Sequence, residues 1–164
     1  MKAIGFMLAT LAGLGFQTAL AVAADPLAPI YDGPSSSIWD GAYFGIGVSG
    51  TDTGAVGLGG TFGVNKQSDQ IVYGLLFDAA LLSGGAVNFQ ASGRVGFLPT
   101  DEFLLYGIGG LGTHTTFGPY ASFGGGVEFA LADNMSVRLE GQHGIDLDTT
   151  IGYNVAIVGL NFHF

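Results

Sequence analysis

The sequence predicts an all-β fold, an eight-stranded antiparallel up-and-down transmembrane β-barrel. Three observations carry that prediction. Eight segments alternate between apolar and small or polar residues, the signature of strands with two different faces. No apolar run of about 18 residues follows the first two dozen positions, which excludes helical spans. Gly supplies 30 of the 164 residues, a density that would be costly in helices.

The chain opens on "MKAIGFMLATLAGLGFQTALAVAA", one Lys, an apolar stretch, then small residues. That pattern predicts a secretory signal peptide over 1–24, cleaved after Ala23 or Ala24. The competing reading is an uncleaved anchor, disfavoured because no basic cluster follows. Residues 25–38, "DPLAPIYDGPSSSI", hold three of the five prolines and a Ser run, and predict a short extended periplasmic linker. The barrel is expected over 39–164.

The strands are expected at roughly 42–50, 54–65, 71–82, 86–98, 103–114, 120–131, 134–144 and 153–164. In the fourth, Val87, Phe89, Ala91, Val95 and Phe97 share one face, and Asn88, Gln90, Ser92 and Arg94 the other. In the sixth, Phe123, Val127 and Phe129 oppose Ser122, Gly124, Gly126 and Glu128; in the seventh, Met135, Val137 and Leu139 oppose Ser136, Arg138 and Glu140. The last sets Val158, Leu160, Phe162 and Phe164 against Gly159, Asn161 and His163. "NKQSDQ", "LPTDE" and "LADNM" are compact polar turns that alternate with "SGTDTG", "SGGA", "HTTFGPY" and "GIDLDTT", so the two sets fall at opposite ends of a meander. Eight strands in that order close naturally, which removes exposed edges.

Which face is greasy decides between water and membrane. Mean hydropathy is positive, and the polar face is mostly Gly, Ser, Thr and Asn (Gly45, Gly47, Gly57, Gly59, Thr61) rather than the Lys and Glu of a water-facing surface. Small residues suit the crowded lumen of an eight-stranded barrel. The mid-strand charges Asp78, Arg94, Glu128, Arg138 and Glu140 all sit opposite the bulky apolar face, where they would form a lumen charge network. Such a network serves as a gate in a narrow pore or, the favoured reading, as a plug. The ending "GLNFHF" resembles the signal that outer-membrane assembly machinery reads in barrel substrates, with Gly159, Leu160, Phe162 and Phe164 as the expected assembly signal.

Composition narrows function further. With the leader removed, Lys66, Arg94 and Arg138 face 13 acidic residues, a formal charge of −10. That excludes nucleic-acid partners and basic-patch docking on anionic lipid. There is no Cys, hence no disulfide or thiolate metal site. "GIGGLG" (107–112) fits G-x-G-x-x-G but lacks the βαβ setting of a dinucleotide site, and no cofactor is expected. His143 with Glu140 suggests a lipid A deacylase, yet Ile145 stands where that family has its Ser. Asp146, Asp148 and Asp52 lack calcium-loop spacing and read as solvated loop charges. Trp39, Tyr43, Tyr73, Tyr106, Tyr120, Tyr153 and Phe164 lie near segment ends and are expected in interfacial girdles.

"WDGAYFGIGVSG" (39–50) resembles the W-x-G-x-Y-x-G opening of the small outer-membrane surface antigens of Alphaproteobacteria, a porin-like, opacity-type barrel family. "GRVGFLPTDEFLLYGIGGLG" (93–112) and "FGGGVEFALADNMSVRLEGQH" (123–143) are similar to its central stretch and late hairpin. The resemblance implies an outer-membrane barrel without catalytic chemistry; the loops here are shorter than is usual for it. The expected protein is a monomeric, non-enzymatic envelope barrel in contact with outer-membrane lipids, lipopolysaccharide and the barrel-assembly machinery. The alternatives are a narrow pore for small solutes or ions, a lipid-modifying barrel enzyme and a secreted soluble ligand-binding barrel.

Overall fold

The computed structural model describes residues 37–116 and 118–164. The expected leader (1–24) and nearly all of the expected linker (25–38) lie outside them. The described chain forms eight strands and no membrane-length apolar helix: β1 (Gly41–Thr51), β2 (Val56–Ser68), β3 (Ile71–Leu82), β4 (Val87–Thr100), β5 (Phe103–His114), β6 (Gly118–Ala132), β7 (Met135–Asp146) and β8 (Gly152–His163). Each pairs antiparallel with the next, and β8 returns to β1 with Phe162 opposite Phe44 and Val158 opposite Val48. The barrel is closed, so no edge is left to pair with another chain.

The strands run 11 to 15 residues, and a tilted strand of about 9–11 residues already crosses a bilayer. At one end, here the turn end, residues 69–70, 101–102 and 133–134 make two-residue turns beside both ends of the barrel chain. At the other, the loop end, 52–55, 83–86, 115–116 and 147–151 lie in the connections. Strand limits differ from the sequence reading by a few residues. β2 starts at Val56 because Gly54, at φ 87°, still turns the chain, and Gly84 and Gly85 (φ 94° and 85°) turn the next hairpin in a conformation that only glycine adopts freely.

Alternation sorts the side chains. Leu58, Val64, Leu75, Val95, Leu111, Phe123 and Leu139 point outward and are more than half exposed. Arg94, Glu128, Arg138, Glu140, Asn161 and Ser136 point inward and are buried. An apolar surface that encircles the molecule is costly in water and argues against the soluble ligand-binding barrel.

The inward face is less uniform than its expected Gly, Ser, Thr and Asn. At the turn end, Trp39, Tyr43, Val72, Leu76, Leu98, Leu104, Tyr106 and Ile108 form a small apolar core inside the barrel, with Ile38 packed against it. The girdle expectation is therefore corrected for most of its members. Trp39, Tyr43, Tyr106 and Tyr120 are buried in the lumen, and Tyr153 lines it; Tyr73 and Phe164 do face outward. Space is the physical reason. Each inward Tyr sits directly across from a glycine on the neighbouring strand: Tyr43 from Gly63, Tyr106 from Gly126, Tyr120 from Gly112, Tyr153 from Gly144. A Cβ at any of these glycines would run into the tyrosine ring. These four glycines make room for aromatic rings in a narrow tube.

Candidate functional site: the barrel lumen

The lumen has two storeys. The lower, at the turn end, is filled. The Trp39 indole N–H donates to the Asp101 carbonyl at 2.8 Å and fixes the ring as a stopper. Above it the Arg94 Nη1 donates to Glu128 Oε2 at 2.9 Å, with side-chain exposures of 1% and 0%. Arg94 Nε donates to Asn65 Oδ1 at 3.1 Å, and the guanidinium lies 4.7 Å from the Tyr43 ring centre and 5.2 Å from that of Tyr106. Glu128 accepts further hydrogen bonds from Ser136 and Asn161 through Oε1. A buried ion pair is most tolerable when its remaining lone pairs and protons are also satisfied. Glu128 meets that condition, whereas Arg94 Nη2 lies among the tyrosine rings and finds no hydrogen-bond partner within the described residues.

A second group sits one level up. Arg138 Nη2 donates to Thr61 Oγ1 at 3.0 Å and lies 3.8 Å from Asp78; its Nη1 lies 3.8 Å from Glu140. Glu140 accepts from the Tyr106 hydroxyl at 2.6 Å and from Gln142 Nε2 at 2.7 Å, while Thr61 donates to Asp78 Oδ1. The structure thus brings Asp78, Arg94, Glu128, Arg138 and Glu140 into one lumen but divides them into two neighbouring groups.

The upper storey is a cup of about 520 Å³ that reaches the loops, its floor formed by Arg138, Asp78, Thr61 and Gln142 and its mouth by Thr53, Thr116 and Thr149. Amide and hydroxyl groups line one side: Tyr120 donates toward Asn88 Oδ1 and Gln90 Oε1 at 2.8 and 2.9 Å, and Gln90 to Gln142 at 2.9 Å. Val155, Ile157, Ala80 and Leu82 line another.

Other candidate residues fall apart in space. His143 faces outward, packed 5.5 Å from the Phe123 ring and bonded to Asn154, whereas Glu140 faces the lumen, so the two lie on opposite faces of β7. Residues 107–112 are plain strand within β5. Asp146 Oδ1 accepts the backbone N–H groups of Asp148 and Thr149, and Asp52 accepts from Asn154 at 2.7 Å. That amide holds the Asp52 carboxyl below its ordinary range. No group of three His, Asp or Glu side chains converges on a metal-sized site among the described residues.

Sequence reasoning missed one constellation. Ser136, His163 and Glu128 meet in the lower storey, with His163 Nε2 2.9 Å from Ser136 Oγ and 3.7 Å from Glu128. These are the residue types of a hydrolytic triad in the wrong order, because the Ser hydroxyl donates to the carboxylate and not to the imidazole. Ser136 and Glu128 are fully buried, and His163 is covered by Tyr43 and Trp39. The one signal available was that 128, 136 and 163 are all inward positions.

At the closing strand, Gly159 is buried against β1, Leu160 is exposed on the outer face, and the Phe164 N–H donates to the Ala42 carbonyl at 2.9 Å with its ring 80% exposed.

No family model and no curated protein matches the chain. Solved structures match its shape. A de novo designed transmembrane β-barrel superposes with a TM-score of 0.60 at 12% identity, over 76% of this chain and 95% of that one. The N-terminal β-barrel domain of Pseudomonas aeruginosa OprF gives 0.60 at 14%, over 76% and 98%. The outer membrane enzyme PagL gives 0.54 at 11%, over 74% and 99%. At these identities the likeness is one of fold: an eight-stranded barrel of the outer-membrane type.

Proposed function

We propose that the chain is a monomeric, non-enzymatic barrel of the outer membrane with a structural role in the envelope, and that its lumen does not conduct. The observation that carries this reading is the filled lower storey. Trp39, Leu104, Val72 and the Arg94–Glu128 pair of the lower storey have essentially no exposed surface, and small barrels are filled in this way by their own side chains. The outward apolar band supports a bilayer location, and the short turns and both barrel ends on one side support a periplasmic turn end. Lipopolysaccharide and outer-membrane lipid would surround the apolar band. The separation of His143 from Glu140 and the burial of Ser136 support a non-enzymatic reading. Residues 39–50, 93–112, 123–143 and the closing strand carry the resemblance to the surface-antigen barrels.

Purified protein in planar bilayers is expected to give no reproducible single-channel steps; regular steps from the pure folded chain would replace this reading with the pore. Deleting Phe164 is expected to reduce the amount of assembled, heat-modifiable barrel in outer-membrane fractions without affecting export. Its ring contributes no lumen contact, so a large loss would point to recognition by assembly machinery. Unchanged assembly would remove that role from the ending.

A further inference from the structure

The charge inventory of the lumen does not balance. Two cations, Arg94 and Arg138, meet three anions, Asp78, Glu128 and Glu140. The histidines do not make up the difference. His163, 3.7 Å from Glu128, belongs to the lower group, and His114 accepts the Thr116 N–H through Nδ1 at the loop end, so Arg138 alone meets Asp78 and Glu140 in the upper group. One negative charge is left over in a low-dielectric tube, where an uncompensated carboxylate is costly.

Its location can be read from the hydrogen bonds. Glu128 is enclosed by Arg94, Ser136 and Asn161, and Glu140 by Tyr106 and Gln142, with side-chain exposures of 0% and 1%. Asp78 is 21% exposed at the floor of the cup; its Oδ1 takes the Thr61 hydroxyl and lies 3.8 Å from Arg138, leaving Oδ2 without a protein donor. The surplus charge is thus the one that faces the cavity.

We propose that the cup binds a small organic monocation, a primary ammonium on a compact apolar or aromatic body, with its head on Asp78. The volume of about 520 Å³ falls in the range of small-molecule sites and is far larger than a bare ion needs. Val155, Ile157 and Leu82 offer the body an apolar wall. Tyr120 and Tyr153, paired edge to face at 6.0 Å, add ring surface of the kind that attracts cations. Around the mouth the described loops carry Asp52, Asp146 and Asp148 and no Lys or Arg, so the local field concentrates cations and repels anions. The site goes beyond the envelope role and does not depend on whether the lumen conducts.

The test titrates the folded full-length barrel in lipid nanodiscs with 2-phenylethylammonium, read by calorimetry and by amide shifts. Saturable binding that perturbs Asp78 and Ile157 is expected. Asp78→Asn should weaken it about tenfold or more through loss of a charge-assisted hydrogen bond, and 3-phenylpropionate should not bind. Ile157→Trp, which fills the cup and leaves Asp78 in place, should abolish binding, so the test stands even where the Asp78 variant fails to assemble. Absence of saturation, equal affinity for the neutral 2-phenylethanol, or unchanged affinity in folded Asp78→Asn would each overturn the proposal.

Discussion

Glu128→Ala is expected to destabilise the folded barrel by about 3–5 kcal/mol, the cost of leaving one partner of a buried ion pair without the other. Arg94 would remain with a side chain 1% exposed between two tyrosine rings, its Nη1 deprived of the 2.9 Å acceptor. Ser136 and Asn161 would lose the carboxylate that accepts from both. Pairing the change with Arg94→Met should recover a large part of the loss, because a well-packed apolar pair often matches or exceeds a buried ion pair in stability. Recovery should be incomplete, since Asn65, Ser136 and Asn161 would still lack their charged partners. Urea titration of the barrel in lipid vesicles, with gel mobility as readout, separates these outcomes. A single variant within about 1 kcal/mol of the parent would mean that water reaches the lower storey and that the plug is not closed.

What could be read in advance followed from the two-residue period. Parity alone assigned Arg94, Glu128, Arg138 and Glu140 to the face opposite Phe89, Phe123 and Leu139, and the closed eight-stranded order followed from the turns. Parity says nothing of which inward residues stand at the same height. That depends on strand stagger, and so the division of the five charges between the Arg94–Glu128 pair and a second group around Arg138 could not be foreseen. The tyrosines failed for a related reason. An aromatic near a strand end suits a membrane interface equally well, and only the register shows Gly63 opposite Tyr43 and Gly112 opposite Tyr120. In β3 the pattern itself was ambiguous. Val72 and Leu76 point in while Tyr73, Leu75 and Phe77 point out, all of them apolar or aromatic, so composition could not reveal a core inside the barrel.

Leu139→Arg carries the claim about the outer face. Leu139 lies in the middle of β7, 51% exposed, flanked across the sheet by Val127 on β6 and Val158 on β8. Placed in hydrocarbon, an arginine there costs about 2–4 kcal/mol at the bilayer midplane and progressively less toward the interfaces. On a water-facing surface the same exchange would change stability by no more than about 0.5 kcal/mol. The two surroundings therefore predict effects that differ several-fold from a single substitution. Unfolding in vesicles should show the larger value, and moving the arginine to Leu131, near the turn end of β6, should reduce it. Thinner bilayers should narrow the difference between the two positions, because the midplane arginine then has less hydrocarbon to cross before its head meets water. A small effect at Leu139 that ignores bilayer thickness would place this face in water, and the apolar band would then require a protein partner to cover it.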